Sequence, residues 1–132
     1  VALRTAKELG QLERVILGTD APAGSGVQPL GILRMIAMLA SLGEVPAEVA
    51  FCFATGNTAA IHGLDRGIIA PGRAADLVLM DKAQHSDGAT LLACVEKGDL
   101  PGIGMVIIDG VIRAERSRNT PPATTMPRVE RR

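Results

Sequence analysis

The chain has 132 residues, of which 47% are hydrophobic, and its 14 basic and 14 acidic side chains give a net charge of zero. This length suffices for one domain of ordinary size. Neither half of the chain is strongly basic, which argues against binding to a nucleic-acid backbone. Phe51 and Phe53 are the only aromatic residues, too few for a surface that stacks nucleic-acid bases.

Histidine and cysteine are also scarce. His62 and His85 are the only histidines, whereas a self-contained catalytic zinc site usually draws on three protein ligands. Cys52 and Cys94 lie in apolar stretches, and we expect two buried free thiols in a reducing cytoplasm rather than a disulfide. The longest apolar run, residues 30–42, contains an arginine and is shorter than the ~20 residues of a membrane span. We therefore expect no membrane partner.

The beginning of the chain predicts a helix followed by a buried strand. Residues 1–9 have a helical pattern that is already under way without an initiator Met, so we expect a piece of a longer protein. Residues 15–19 form a short apolar run that is β-branched at its start. Such a run is typical of a strand buried on both faces of a parallel sheet. The partner strands that it needs are not visible in the sequence.

Two further helices follow a loop of small residues. Residues 29–42 predict a helix that is apolar nearly all round, and such a helix must be covered on both sides. A third helix begins at Pro46 and is interrupted at residues 55–57. It ends at His62, where the following glycine is a suitable C-cap.

From Gly67 the pattern changes to short strands. Residues 67–80 predict strand, turn and strand, with a Pro-Gly pair at the centre that suits a type II turn. Residues 87–97 predict a helix, and residues 105–113 predict a hairpin because an Asp-Gly pair favours the type I′ turn. The tail from Asn119 is rich in Pro and Thr, and we expect it to be extended or mobile.

Asp20 is the first candidate for chemistry, since it stands at the carboxyl end of the predicted strand, where α/β proteins build active sites. A carboxylate there can ligate a metal or accept a proton, or it can simply cap the following loop. The loop at residues 24–26 precedes a helix N-terminus, where free N–H groups favour anions. A plain flexible loop is the alternative there.

Three other polar residues have simpler explanations. His62 is expected to cap the last turn of its helix or to be partly exposed. His85 lies in a polar loop and is expected to be exposed. Asp76 follows a turn, and we expect its carboxylate to bond the backbone of that turn.

Three segments carry a resemblance to a known family: VILGTDAP at residues 15–22, ATGNTAAIHGL at residues 54–64 and GIIAPGRAADLVLMD at residues 67–81. In this order and at this spacing they resemble the C-terminal part of the amidohydrolase superfamily. The last segment is similar to the signature that returns the chain from the catalytic barrel to a small β-sandwich. Within the superfamily, the resemblance is to the cyclic-amide hydrolases.

The resemblance implies an α/β fold, namely the last strand and helices of a (β/α)₈ barrel over residues 1–64. Part of a composite β-sandwich would follow at residues 65–118, and an extended or mobile tail at 119–132. Asp20 would be both catalytic residue and metal ligand, and Ser25 and Gly26 would contact the substrate. The cofactor would be a divalent metal, namely Zn²⁺, in a centre that holds one or two ions. In a two-ion centre, Fe²⁺ is the alternative for the second ion.

The other metal ligands of the superfamily have no match in this chain, so we expect it to be inactive without a missing N-terminal part. The expected partners are that part, a small cyclic-amide substrate and further copies in a homo-oligomer. Uncovered apolar surfaces should make the isolated chain associate. The alternatives are a non-catalytic structural or interaction module, or another branch of the superfamily such as hydantoinase, dihydroorotase or imidazolonepropionase.

Overall fold

The computed structural model describes residues 1–21, 26, 28–43 and 45–130. In this part of the chain, helices dominate the first half and a small antiparallel sheet the second. The helices are α1 (Ala2–Glu8), α2 (Gly31–Leu42), α3 (Ala47–Ala54), α4 (Gly56–His62) and α5 (Leu91–Glu96), with a 3₁₀ turn at Leu12–Arg14. The strands are β1 (Leu77–Asp81), β2 (Gly102–Ile108) and β3 (Val111–Ala114).

The strand predicted at residues 15–19 is wrong for this structure. Val15 is extended, with φ −83° and ψ 128°, but the segment belongs to no sheet. Its backbone hydrogen bonds, both 3.1 Å long, run from the Val15 amide to the Leu12 carbonyl and from the Leu17 amide to the carbonyl of Phe53, at the end of a helix. A parallel strand needs neighbouring strands for its hydrogen bonds, and the described residues supply none beside it.

The core lies where α2, α3 and α5 meet. Phe53 on α3 and Val95 on α5 are completely buried, and they pack with Ile36 of α2 in one apolar cluster. Glu96 supports the same junction, because its carboxylate accepts a hydrogen bond of 3.1 Å from the backbone N–H of Ala47, the first residue of α3. An acidic group at a helix N-terminus satisfies an otherwise free donor there.

The break between α3 and α4 occurs at Thr55, inside the predicted interruption, and α4 ends at a left-handed Gly63 (φ 64°) as predicted. The chain then passes close to the break at Gly67. A Cβ on this glycine would lie 2.9 Å from both the Ala59 Cβ and the Thr55 carbonyl oxygen. The strand predicted from Gly67 does not form: Ile69 is exposed and pairs with no strand of the described chain.

The sheet has the order β1-β2-β3, with both neighbouring pairs antiparallel. The hairpin between β2 and β3 turns at Asp109 (φ 50°) and Gly110 (φ 74°), the two positive φ angles that a type I′ turn requires. The Pro-Gly turn before β1 also forms, with Gly72 at φ 81° and a hydrogen bond of 3.2 Å from the Arg73 amide to the Ala70 carbonyl. Both turns confirm the sequence prediction.

The described part of the tail passes beside the end of β1 and the residues after it. Ala123 is buried and bridges to Ala83. The Thr124 amide donates to the Lys82 carbonyl at 3.0 Å, and the Thr125 amide donates to a carboxylate oxygen of Asp81 at 2.8 Å. The packing is close, because a Cβ on Gly104 would lie 2.6 Å from Cδ of Pro127.

Much apolar surface remains exposed on this part of the chain. Leu42, at the end of α2, is 78% exposed, and Ile69 is 88% exposed. The two cysteines are free, as expected, but Cys52 is exposed and only Cys94 is buried. The expectation of two buried thiols was therefore wrong for Cys52, because the described residues cover only one side of α3. No helix in the described residues is long and apolar enough to cross a membrane.

Asp81 makes the attachment of the tail sensitive to acid. Hydrogen bonds from the Lys82 amide and from Thr125 lower the pKa of the Asp81 carboxyl below its ordinary value of 3.8. A depressed pKa means that the carboxylate contributes stability above 3.8. We expect this contribution to disappear as the pH falls through the lower pKa of the folded state.

The amide resonance of Thr125, followed by NMR during acidification, should report this loss. In the D81N variant, the chemical shift of the Thr125 amide near neutral pH should already equal the value that the wild type reaches in acid. In the D87N variant, this chemical shift should change with pH as it does in the wild type. A Thr125 resonance that moves equally with acid in D81N would contradict the assignment.

Candidate functional site

Asp20 lies at the end of the extended segment, in a strained conformation. Its φ is 51°, in the left-handed region that Asp tolerates better than most residues. The side chain is exposed. The hydroxyl oxygen of Thr19 accepts a long hydrogen bond, 3.4 Å, from the backbone N–H of Ala21, so the backbone closes around Asp20. The Asp20 side chain is thus accessible at a tight turn of the backbone.

Asn57 holds the segment that leads to Asp20. Its side-chain NH₂ donates two hydrogen bonds of 2.9 Å, one to the carbonyl of Leu12 and one to that of Val15. Both amide protons are thereby used. The Val15 carbonyl gains a donor, and the Leu12 carbonyl gains a second one beside the Val15 amide. This role of Asn57 is not predicted by the sequence pattern. The available signal was the polar Gly-Asn-Thr run at a helix break, directly after an apolar helix.

The expected substrate-contacting residues are only partly visible. Ser25 lies outside the described residues, and so does most of the loop around it. Gly26 is described, is exposed and has a left-handed φ of 72°. Their role in binding stays a prediction.

The two histidines lie away from any ligand cluster. His62 is exposed in the last turn of α4, and His85 is exposed in the loop after β1, as expected for both. Among the described residues, no group of three His, Cys, Asp or Glu side chains is arranged to hold a metal ion. The carboxylate of Asp20 alone does not make a metal site, so a metal bound here would need further ligands from outside the described residues.

Asp76 has the structural role that was expected, but with a different partner. Its carboxylate accepts a hydrogen bond of 2.8 Å from the backbone N–H of Asp109 in the distant hairpin turn, not from the turn before it. Its other oxygen pairs with Arg66 at 2.7 Å. The pKa of the Arg66 guanidinium is raised, mainly by its hydrogen bond to Asp65 and then by the negative charge of Asp76. Asp76 thus ties the segment after α4 to the β2–β3 hairpin.

An apolar cavity of about 540 Å³ separates the helices from the sheet. Ile32 and Phe51 line its helical side, Ile68 lies on the loop between, and Met80 and Ile103 line the sheet side. Asp76 is the one charged residue at its wall among the described residues, and both its oxygens are already used. This cavity offers apolar contacts and no free catalytic group.

Residues 1–113 match the model of the Amidohydrolase family. This chain belongs to the amidohydrolase family. The match covers most of the chain, including Asp20 and the three segments whose resemblance was noted from the sequence. It thereby confirms the family inferred from those segments.

Two comparisons narrow the similarity within the amidohydrolases. The chain is 51% identical over 120 residues to the enamidase of Eubacterium barkeri, which is 91% of this chain but 31% of that protein. It also superimposes on the crystal structure of an enamidase described as a member of the amidohydrolase superfamily. That match has a TM-score of 0.91 and 49% identity, and it covers 94% of this chain and 32% of the enamidase chain. The amidohydrolase chain therefore spans about a third of the length of these relatives.

Replacing Asn57 by Asp should destabilise this amidohydrolase chain. The variant N57D loses both donors and directs a carboxylate at the carbonyls of Leu12 and Val15. We expect the free energy of unfolding to fall by about 1–3 kcal/mol, because two part-buried hydrogen bonds, each contributing roughly 0.5–1.5 kcal/mol, are lost. Urea unfolding followed by circular dichroism measures the difference. N119D, the same chemical change at an exposed residue, should unfold like the wild type, and equal effects of the two would disprove the role of Asn57.

The donor set also predicts the metal binding of this chain. Titration of the 132-residue chain with Zn²⁺ in a calorimeter should show no tight one-to-one binding, because Asp20 supplies a single carboxylate and stable zinc sites need three or four ligands. Tight stoichiometric binding would reveal a site that the described residues do not indicate.

Proposed function

We propose that this chain supplies the C-terminal third of a metal-dependent hydrolase that opens a cyclic amide at its C–N bond. The observation that carries the proposal is the 51% identity to an enamidase over 91% of the chain. The segments GTDAPAGSGVQPLGI at residues 18–32, GDLPGI at 98–103 and SRNTPPA at 117–123 resemble the enamidase branch in particular. The chain is expected to be inactive without the remainder of the enzyme.

The proposed domain division is that expected from the sequence. Residues 1–64 would form the end of a (β/α)₈ barrel, and the extended segment at residues 15–19 would become its last strand once neighbouring strands are present. Residues 65–118 would be part of a β-sandwich, with residues 119–132 as its tail. The family match and the superposition on an enamidase support this arrangement.

Asp20 is the proposed acid–base residue of the reaction. When water attacks the amide carbonyl carbon, its proton passes to the Asp20 carboxylate, and Asp20 then delivers it to the leaving nitrogen as the C–N bond breaks. An exposed carboxylate at the end of this extended segment is suited to this transfer, and acid–base catalysis of this kind contributes roughly 10²–10⁴ in rate. Ser25 and Gly26 are the proposed contacts to the substrate.

The metal and the assembly are further parts of the proposal. The superfamily resemblance favours Zn²⁺ in a centre of one or two ions, with Fe²⁺ as the alternative for the second ion. Asp20 would be the one metal ligand that this chain supplies. The other ligands would come from the rest of the enzyme. A homo-oligomer in a reducing cytoplasm is the proposed state, in keeping with two free thiols.

The full-length protein should be assayed on three cyclic amides: 6-oxo-tetrahydronicotinate, a hydantoin and a dihydroorotate. Hydrolysis of the first in preference to the others supports the enamidase-like function. Preference for either of the others moves the protein to another branch of the family. Hydrolysis of none of the three would favour the non-catalytic module.

Substitution of Asp20 tests its assigned role. In the full-length protein, D20N should lower kcat by at least about 100-fold, because the amide is nearly isosteric but cannot take up the proton. The melting temperature should change little, since the side chain is exposed. D99N, a matched change at another exposed aspartate, should keep wild-type activity. A D20N variant with near-normal kcat would remove Asp20 from the mechanism.

A further inference from the structure

The side chain of Thr19 meets α2 at the first residue of that helix. Gly31 is buried, and a Cβ built on it would lie 2.9 Å from Cγ2 of Thr19. Two carbon atoms do not approach so closely in folded proteins without displacing one another. The methyl group of Thr19 therefore rests against the backbone of Gly31, at a place where no larger residue fits without a shift.

Thr19 makes a second contact from the same Cβ. Its hydroxyl oxygen accepts the hydrogen bond from the Ala21 amide, which spans Asp20. The methyl and the hydroxyl turn together, because a single torsion angle places both, and β-branched side chains have few allowed values of that angle. Contact of the methyl with Gly31 thus also fixes the hydroxyl that closes the backbone around Asp20.

We propose that the Thr19–Gly31 contact is a positioning device for the Asp20 carboxylate. The inference rests on the acid–base role proposed for Asp20. Helix α2 is part of the buried core through Ile36, so it provides a rigid stop against which Thr19 is oriented. Leu30, directly before α2, has a left-handed backbone with φ 61°. Thr19 and Gly31 touch no reacting atom and act through Asp20.

The G31A variant of the full-length protein tests this device. A methyl group at residue 31 must either rotate Thr19, which breaks the bond to Ala21, or displace its backbone, and both move Asp20. We expect kcat to fall by about 10- to 100-fold, since misplacement by about 1 Å can cost a factor of 10². KM should change less than twofold, because Asp20 acts in the chemical step.

A second substitution should reverse the effect. Serine at residue 19 keeps the hydroxyl and removes the methyl group, so the double variant G31A/T19S loses the clash. T19S alone should lower kcat only a fewfold, because a serine side chain rotates more freely about its first torsion angle than threonine does. The kcat of the double variant should return to within about twofold of the kcat of T19S. A merely structural contact would affect stability without this recovery of kcat at constant KM.

G56A is the matched control, because Gly56 is also the first residue of a helix. A Cβ there would lie 3.7 Å from Cγ1 of Ile68, which is ordinary contact, so kcat should equal that of the wild type. Wild-type kcat in G31A, or no recovery in the double variant, would overturn the proposal. If G31A does not fold, the T19V variant tests the proposal instead, because valine keeps the methyl group and loses the hydroxyl. A wild-type kcat in T19V would overturn the proposal.

Crystal structures of the wild type and G31A separate this inference from the proposed function. An inactive wild type on all three cyclic amides would disprove the function and leave the geometry to be read directly. A displaced Asp20 carboxylate in G31A then supports the positioning contact, and an unmoved one overturns it.

Discussion

The two hydrogen bonds from the Asn57 side chain to the carbonyls of Leu12 and Val15 are the constraint on which the rest of this site depends. The segment that carries Asp20 has no strand beside it in the described chain, so its backbone cannot be fixed by a sheet ladder. An amide side chain from α4 replaces part of that ladder, and the Leu17–Phe53 bond adds one backbone contact. Thr19 then orients the backbone between this segment and the Asp20 carboxylate.

The apolar surface of the described residues follows from the same lack of neighbours. Residues 29–42 were predicted to need cover on both sides, and in the structure α2 has a buried side at Ile36 and an open end at Leu42. The cavity between the helices and the sheet is lined almost wholly by apolar side chains. The relatives that this chain matches are about three times as long, and we propose that the remainder of the enzyme covers such surfaces.

Local chemistry made several elements predictable. The type I′ turn follows from Asp109 and Gly110, since both residues adopt positive φ at little cost, and the end of α4 follows from Gly63 for the same reason. The expected strands at residues 15–19 and at Gly67 did not form, because β-branched and apolar residues favour an extended chain but cannot supply its hydrogen-bond partners. A strand is completed only by what lies beside it.

The sequence by itself determined the family, the turns, most of the helices and the candidate carboxylate, because each rests on residues that are close together in the chain. Only the tertiary structure revealed that Asn57 holds the segment before Asp20, that Asp76 bonds a turn 33 residues away and that Thr19 rests against Gly31. These contacts join residues far apart in sequence. The packing of α2, α4 and the sheet determines which residues meet, and a local sequence pattern does not contain that information.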